Sequence, residues 1–167
     1  MKEIPRHNSI RGEFAYQLYR QMEKRNDIWV VTGDLGYAML DRIKEDFPDR
    51  FINTGAAEQT MMGIAVGLAR EKQIPFVYSI TPFLLCRPYE TIRNYVDHEK
   101  IPVRLVGSGR DDDYKHDGFS HHAFDDKQIL GNFPNIHGLW PSTKEEIEAN
   151  VDVMLRYNRP WYINLKR

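Results

Sequence analysis

The sequence predicts an α/β fold: a doubly wound, mostly parallel sheet of six strands with helices on both faces. Three observations predict it. Short apolar runs alternate with helix-period segments along all 167 residues. Strands separated by helical stretches of about 10–15 residues join as right-handed crossovers between parallel neighbours. Hydrophobic residues at 41% and aromatics at 12% supply enough apolar surface for one buried core.

The elements follow in order. Asn8-Ser9 can cap an opening helix in which Phe14, Leu18 and Met22 recur every fourth residue. Ile28–Thr32 reads as the first strand, followed by Gly33-Asp34 and a helical stretch with Met39, Leu40, Ile43 and Phe47 that Pro48 stops. Phe51–Thr54 is a second strand, leading through Gly55 into a helix with Met61, Ile64, Ala65 and Leu68 on one face. Phe76–Ile80 precedes a helix carrying Tyr89, Ile92 and Val96; Val103–Gly107 opens a long polar loop that ends near His121. Ile136–Trp140 meets Pro141, and Ser142-x-x-Glu145 reads as a capping box for a helix with Ile147, Val151, Met154 and Leu155. Trp161–Leu165 is the last strand. No repeat, low-complexity stretch or linker interrupts the pattern, so residues 1–167 read as one domain.

Composition removes several function classes. Lys+Arg 23 against Asp+Glu 24 gives a net charge of -1, with no basic run, which argues against nucleic-acid or anionic-membrane binding. A lone Cys86 can form no internal disulfide. The N-terminus Met1-Lys-Glu-Ile-Pro-Arg-His-Asn is too polar for a signal peptide, and no apolar run approaches the roughly 18 residues of a membrane span. The expectation is a soluble, cytoplasmic protein.

In an open parallel sheet, ligands sit beyond the carboxyl ends of the strands, where strand order reverses. The residues that follow strands here are Asp34, Glu58, Phe83 and the loop from Ser108 to His122. Glu58 has a sufficient structural reason, because a carboxylate in a first helical turn is favoured by the helix dipole. Gly55-Ala56-Ala57 before it also permits close approach of a ligand. Gly63 and Gly67 inside the same helix each cost about 1 kcal/mol relative to alanine, and tight packing against the sheet or another subunit offsets this. The adjacent His121 and His122 lack metal-site spacing, and no Cys/His cluster accompanies them, so no metal ligands are assigned. The loop with Arg110, Lys115 and His116 suits a hydroxylated or phosphorylated small molecule, while Asp111–Asp113 read as a solvated tip. Walker, G-x-G-x-x-G and G-x-S-x-G motifs are absent. Unaided, the residues imply an α/β domain with a polar ligand edge.

Together, Gly33-Asp34-Leu35, Asp49-Arg-Phe-Ile-Asn-Thr-Gly-Ala-Ala-Glu-Gln-Thr-Met-Met-Gly-Ile-Ala-Val-Gly-Leu-Ala69 and Pro75-Phe-Val-Tyr-Ser79 resemble the pyrimidine-binding domain of thiamine-diphosphate enzymes of the transketolase family. The likeness continues through Phe83, Arg87-x-Tyr-Glu-x-Ile-Arg93, Asp117-Gly-Phe-Ser-His-His-Ala-Phe-Asp-Asp126 and Phe133-Pro-Asn135, covering nearly the whole chain. It is greatest to the "C-terminal section" chains of two-gene transketolases, which 1-deoxyxylulose-phosphate synthases also resemble. The resemblance implies a cofactor shared between two domains, this one holding the aminopyrimidine and a partner chain holding the diphosphate and magnesium. It implies that Glu58 hydrogen-bonds a pyrimidine nitrogen, favouring the imino form that deprotonates the thiazolium carbon. Phe83 would pack on the pyrimidine, with Asp34 and Arg87 nearby. Asp117 and His121 would bond the ketose oxygens, His121 also moving protons, and Arg11 and Arg110 would meet substrate phosphate or sugar.

Three departures from that pattern are legible. The Gly-Asp-Gly…Asn magnesium signature is absent, the sequence ends where the pyrimidine domain ends, and Arg110-Asp-Asp-Asp-Tyr-Lys-His116 replaces a glycine-rich stretch. The leading expectation is the pyrimidine subunit of a two-chain transketolase, transferring a two-carbon ketol unit between sugars, in a homodimer or a heterotetramer with its partner. A two-chain 2-oxo acid decarboxylase and a non-catalytic subunit remain as alternatives.

Overall fold

The computed structural model describes residues 7–167, and the reading of Met1–Arg6 as no leader lies outside the described residues. Helix α1 (Ile10–Lys24) opens as its cap predicts, with the Ser9 hydroxyl accepting from the Gly12 amide at 3.0 Å. Strands β1 (Ile28–Thr32), β2 (Phe51–Asn53), β3 (Ile74–Ile80), β4 (Arg104–Ser108), β5 (His137–Leu139) and β6 (Trp161–Leu165) form one sheet. The helices between them are α2 (Asp41–Asp46), α3 (Glu58–Arg70), α4 (Thr81–Cys86), α5 (Tyr89–Thr91, continuing as a π-helical stretch Ile92–His98), α6 (Asp126–Leu130) and α7 (Glu145–Arg156).

The strand order is β2-β1-β3-β4-β6-β5, and every pairing is parallel. Val30 lies opposite both Phe51 and Phe76, and Arg104 opposite both Phe76 and Trp161. Because strand side chains alternate between faces, the core divides into two layers. Phe14, Leu18, Met22, Ile43, Val151 and Met154 of α1, α2 and α7 bury one face with Val30, Phe76, Val106 and Ile163. Met61, Ala65, Leu84, Leu85, Ile92 and Val96 of α3, α4 and α5 bury the other with Val31, Val77, Leu105 and Tyr162. The chain runs outward from β1 to β2 and then crosses back to β3. The carboxyl ends of β1 and β3 therefore flank a point where strand order reverses. No described helix is long and apolar enough to cross a membrane.

Four local features differ from the sequence expectation. The helix expected from Met39 begins at Asp41, because Gly36 and Ala38 both take positive φ and the chain turns there instead. An unexpected α4 follows β3, started by Pro82 in its first turn, where the missing N–H costs nothing. Another, α6, is only five residues long. At α7, Glu146 rather than Glu145 reaches back, its carboxylate accepting from the Ser142 and Thr143 amides at 3.3 and 3.2 Å.

Candidate active site

The site grows from the turns after β1 and β2. Asn53 ends β2, and its side-chain oxygen accepts from the amides of Asp34 (2.9 Å) and Gly55 (3.0 Å), tying both turns together. Gly55 takes φ +67, so the chain reverses there and enters α3 at once. Gly33 leaves no room for a side chain: an added Cβ would lie 3.2 Å from the Gly55 carbonyl and 3.8 Å from Glu58 Cγ. Glu58, the first residue of α3, is thereby pressed against the end of the sheet and is 4% exposed.

Its partner comes from across the site. Arg87 donates from Nη1 to Glu58 Oε1 at 2.6 Å, a short charge-assisted bond. The same guanidinium lies 3.6 Å over the ring of Phe83, which α4 presents at the carboxyl end of β3. Phe83 in turn meets His121 edge-on, with centroids 4.8 Å apart, and His121 contacts Tyr114 at 6.5 Å. The structure thus brings Glu58, Arg87, Phe83 and His121 into one run of contacts. Asp117 sits apart on the exposed turn Lys115–Asp117, four residues before His121.

Arg11 and Asp34 belong to a neighbouring cavity of about 370 Å³, lined also by Tyr37, Tyr78, Ser108 and Tyr114. Arg11 Nη1 donates to Tyr114 Oη at 2.8 Å and to Ser108 Oγ at 3.3 Å, while the two hydroxyls bond each other at 2.7 Å. Burial pushes the Tyr78 phenol above its ordinary range, so it stays a neutral hydroxyl. Arg110 does not line this cavity. It makes three bonds at 2.9 Å, to Asn164 Oδ1 and to the carbonyls of Asn164 and Pro141, holding the loop to the end of β6.

Beneath the loop lies a polar network that sequence reasoning missed. Asn164 Nδ2 donates to the Gly109 carbonyl at 3.1 Å, Thr81 Oγ1 to the same oxygen at 2.7 Å, and Tyr162 Oη to Asp126 Oδ2 at 2.9 Å. Burial and the Asp126 charge raise the Tyr162 phenol well above its usual range. The only signal in the sequence was a Thr and an Asn at strand ends. Asp113 corrects the expectation of a solvated acidic tip: its Oδ2 accepts from the amides of Arg110 (2.9 Å) and Arg167 (2.8 Å) and clamps the loop. Cys86 offers no ready nucleophile, since burial and Asp125 raise its thiol pKa. Among the described residues no three His, Cys, Asp or Glu side chains converge as metal ligands.

Chemically, the first cluster offers a buried carboxylate beside an aromatic face, suited to a flat, nitrogen-bearing ring. The cavity offers hydroxyls, one guanidinium and one carboxylate. Comparison with known proteins agrees with this division. The family model described as "Transketolase, pyrimidine binding domain" matches residues 8–167. A protein of Methanocaldococcus jannaschii named as a transketolase C-terminal section is 30% identical over 162 residues, 96% of this chain and 51% of that protein. An apulose-4-phosphate transketolase subunit of Actinobacillus succinogenes is 32% identical over 136 residues, 81% of this chain and 44% of its own length. A solved structure titled "Split gene transketolase, inactive beta4 tetramer" superposes with a TM-score of 0.83 at 28% identity, over 95% of this chain and 51% of that one. The chain therefore spans about half the length of the curated relatives it matches. On its fold, its site and its match along nearly every residue, the chain belongs to the transketolase pyrimidine-binding-domain family.

Proposed function

We propose that this chain is the pyrimidine-binding half of a two-chain, thiamine-diphosphate-dependent transketolase-like enzyme that moves a two-carbon ketol unit between sugars. The observation that carries the reading is the Glu58–Arg87–Phe83 cluster. The Arg87 guanidinium is flat, stacks on Phe83 at 3.6 Å and donates an N–H to Glu58 at 2.6 Å. A planar nitrogen-bearing group is thus accepted in the stacking and hydrogen-bonding relation that an aminopyrimidine requires. Thiamine diphosphate, when bound, supplies a nucleophilic carbon that adds to the ketose carbonyl.

The residues of this chain then have separate tasks. Glu58 holds the pyrimidine by a hydrogen bond from a buried position that excludes water, and Phe83 fixes the plane of the ring. Arg87 steadies Glu58 and gives way above Phe83 when the cofactor arrives. His121, against the Phe83 edge, is in position to move a proton near neutral pH, and Asp117 on the same loop would bond a substrate hydroxyl. The diphosphate and its magnesium would be held by the partner chain. Exposed Tyr37 and Phe119, 93% and 87% accessible, flank the site and are offered to that partner. A homodimer of the pair, giving a heterotetramer, follows from the open glycine face of α3 at Gly63 and Gly67, where an added Cβ would meet nothing within 4 Å. The relative from Actinobacillus succinogenes, named for a phosphorylated sugar, supports a sugar or sugar-phosphate substrate.

The test is a titration of thiamine diphosphate with magnesium into this chain, into its diphosphate-binding partner and into their mixture, followed by assay with a ketose donor and an aldose acceptor. Tight binding and ketol transfer are expected only in the mixture. Equal affinity in this chain alone would contradict the shared site. Carbon dioxide release from a 2-oxo acid without ketol transfer would favour a decarboxylase, and a mixture that binds cofactor without turnover would favour a non-catalytic subunit.

A further inference from the structure

Resting on the ketol-transfer reading, we propose that the cavity beside Arg11 takes the uncharged, hydroxylated end of the substrate, and that Tyr114 sets this preference by occupying Arg11. Tyr114 is held firmly for that role. Gly109 takes φ +86 beneath it, and a Cβ there would lie 2.3 Å from the Tyr114 ring, so only glycine lets the ring settle. On the ring, the Arg167 guanidinium lies 5.2 Å from the centroid, and the Asp113 clamp fixes the loop between Arg110 and Arg167.

The consequence is a shortage of donors for an anion. A phosphoryl group is bound by several charged N–H donors, preferably a bidentate guanidinium. Here the one guanidinium lining the cavity already spends Nη1 on Tyr114 and Ser108, and those hydroxyls bond each other. No lysine lines the cavity, His7 is its other basic residue, and the Asp34 carboxylate opposes a second negative charge. What remains are the hydroxyls of Tyr37, Tyr78, Ser108 and Tyr114. Each can donate and accept, as a sugar hydroxyl does. The buried Nε of Arg11 has no partner among the described residues, which leaves one donor for a neutral oxygen.

The experiment uses two unreactive acyclic probes, xylitol and xylitol 5-phosphate, titrated by calorimetry or ligand-observed NMR into the full chain, with and without its partner. The wild type is expected to bind xylitol about tenfold more tightly than the phosphate. Tyr114→Phe keeps the ring and its packing but frees Arg11, so phosphate affinity should rise about tenfold while xylitol changes little. Adding Arg11→Met to that variant should abolish the gain. A wild-type preference for the phosphate overturns the proposal, as does an equal change in both affinities on Tyr114→Phe, or no binding of either polyol. Failure of the ketol-transfer reading is seen separately, in the cofactor titration, because these probes need neither cofactor nor turnover.

Discussion

The Glu58 cluster and the Arg11 cavity lie side by side at the carboxyl edge of one sheet, yet they are assembled in different ways. Glu58 is fixed by its immediate surroundings: the Gly55 turn, the start of α3 and the close approach of Gly33. Arg11 is fixed by residues 97 and 103 positions away, on the last residue of β4 and on a loop beyond it. The first arrangement depends on backbone that cannot move without opening the sheet edge. The second depends on one phenol and one serine, which a few loop substitutions could replace. The contrast assigns the shared chemistry to the first region and the choice of substrate to the second.

The largest effect expected of any change is at Glu58. Glu58→Gln should lower turnover of the reconstituted enzyme by about 100-fold or more, in the range of a lost proton-handling group, with thermal stability nearly unchanged. A comparable loss from Arg11→Met, read on a small donor that does not reach the cavity, would break the division between the two regions.

Next comes Gly109→Ala. Forcing an alanine to φ +86 costs about 1–2 kcal/mol, and the new methyl collides with Tyr114. Polyol affinity should fall about tenfold while cofactor affinity holds. Asn164→Ala should act on stability instead, costing about 1–3 kcal/mol in denaturant unfolding, because the Gly109 carbonyl and the Tyr162 hydroxyl each lose a buried partner.

The smallest effect serves as a control at the opposite edge. Arg25 holds Asp27 through two bonds, at 2.9 and 2.7 Å, and keeps its carboxyl below the ordinary range. Its contribution is therefore present above the usual carboxylate pKa and is lost as pH falls through the lowered native value. The pair is more than a third exposed, so Asp27→Asn should cost less than about 1 kcal/mol and should leave both site regions unaffected. A pH scan of unfolding for wild type and variant checks the sign.

Much of this was legible beforehand, for identifiable reasons. Six apolar runs became six strands because a parallel sheet buries both faces, leaving little ambiguity about which runs lie inside. Glu58 stood out because its environment is local, from Gly55 to the first turn of α3. The bond from Arg87 could not be read, since its two ends are 29 residues apart and meet only once α4 folds over the sheet edge. Helix α4 was obscured by Thr81-Pro82, which reads as a break after a strand but serves as a helix start. Asp113 looked like part of a solvated acidic run because both amides that it accepts from are supplied by the fold, one of them 54 residues away.

The measurement that reaches the central claim most directly is the exchange of the thiazolium proton of thiamine diphosphate with solvent. It is followed by NMR in the complex of this chain with its diphosphate-binding partner. With wild-type chain the exchange should run about 100-fold or more faster than in free cofactor, and Glu58→Gln should return it close to the free rate. Equal exchange in wild type and variant would mean that the carboxylate at the start of α3 does not activate the cofactor.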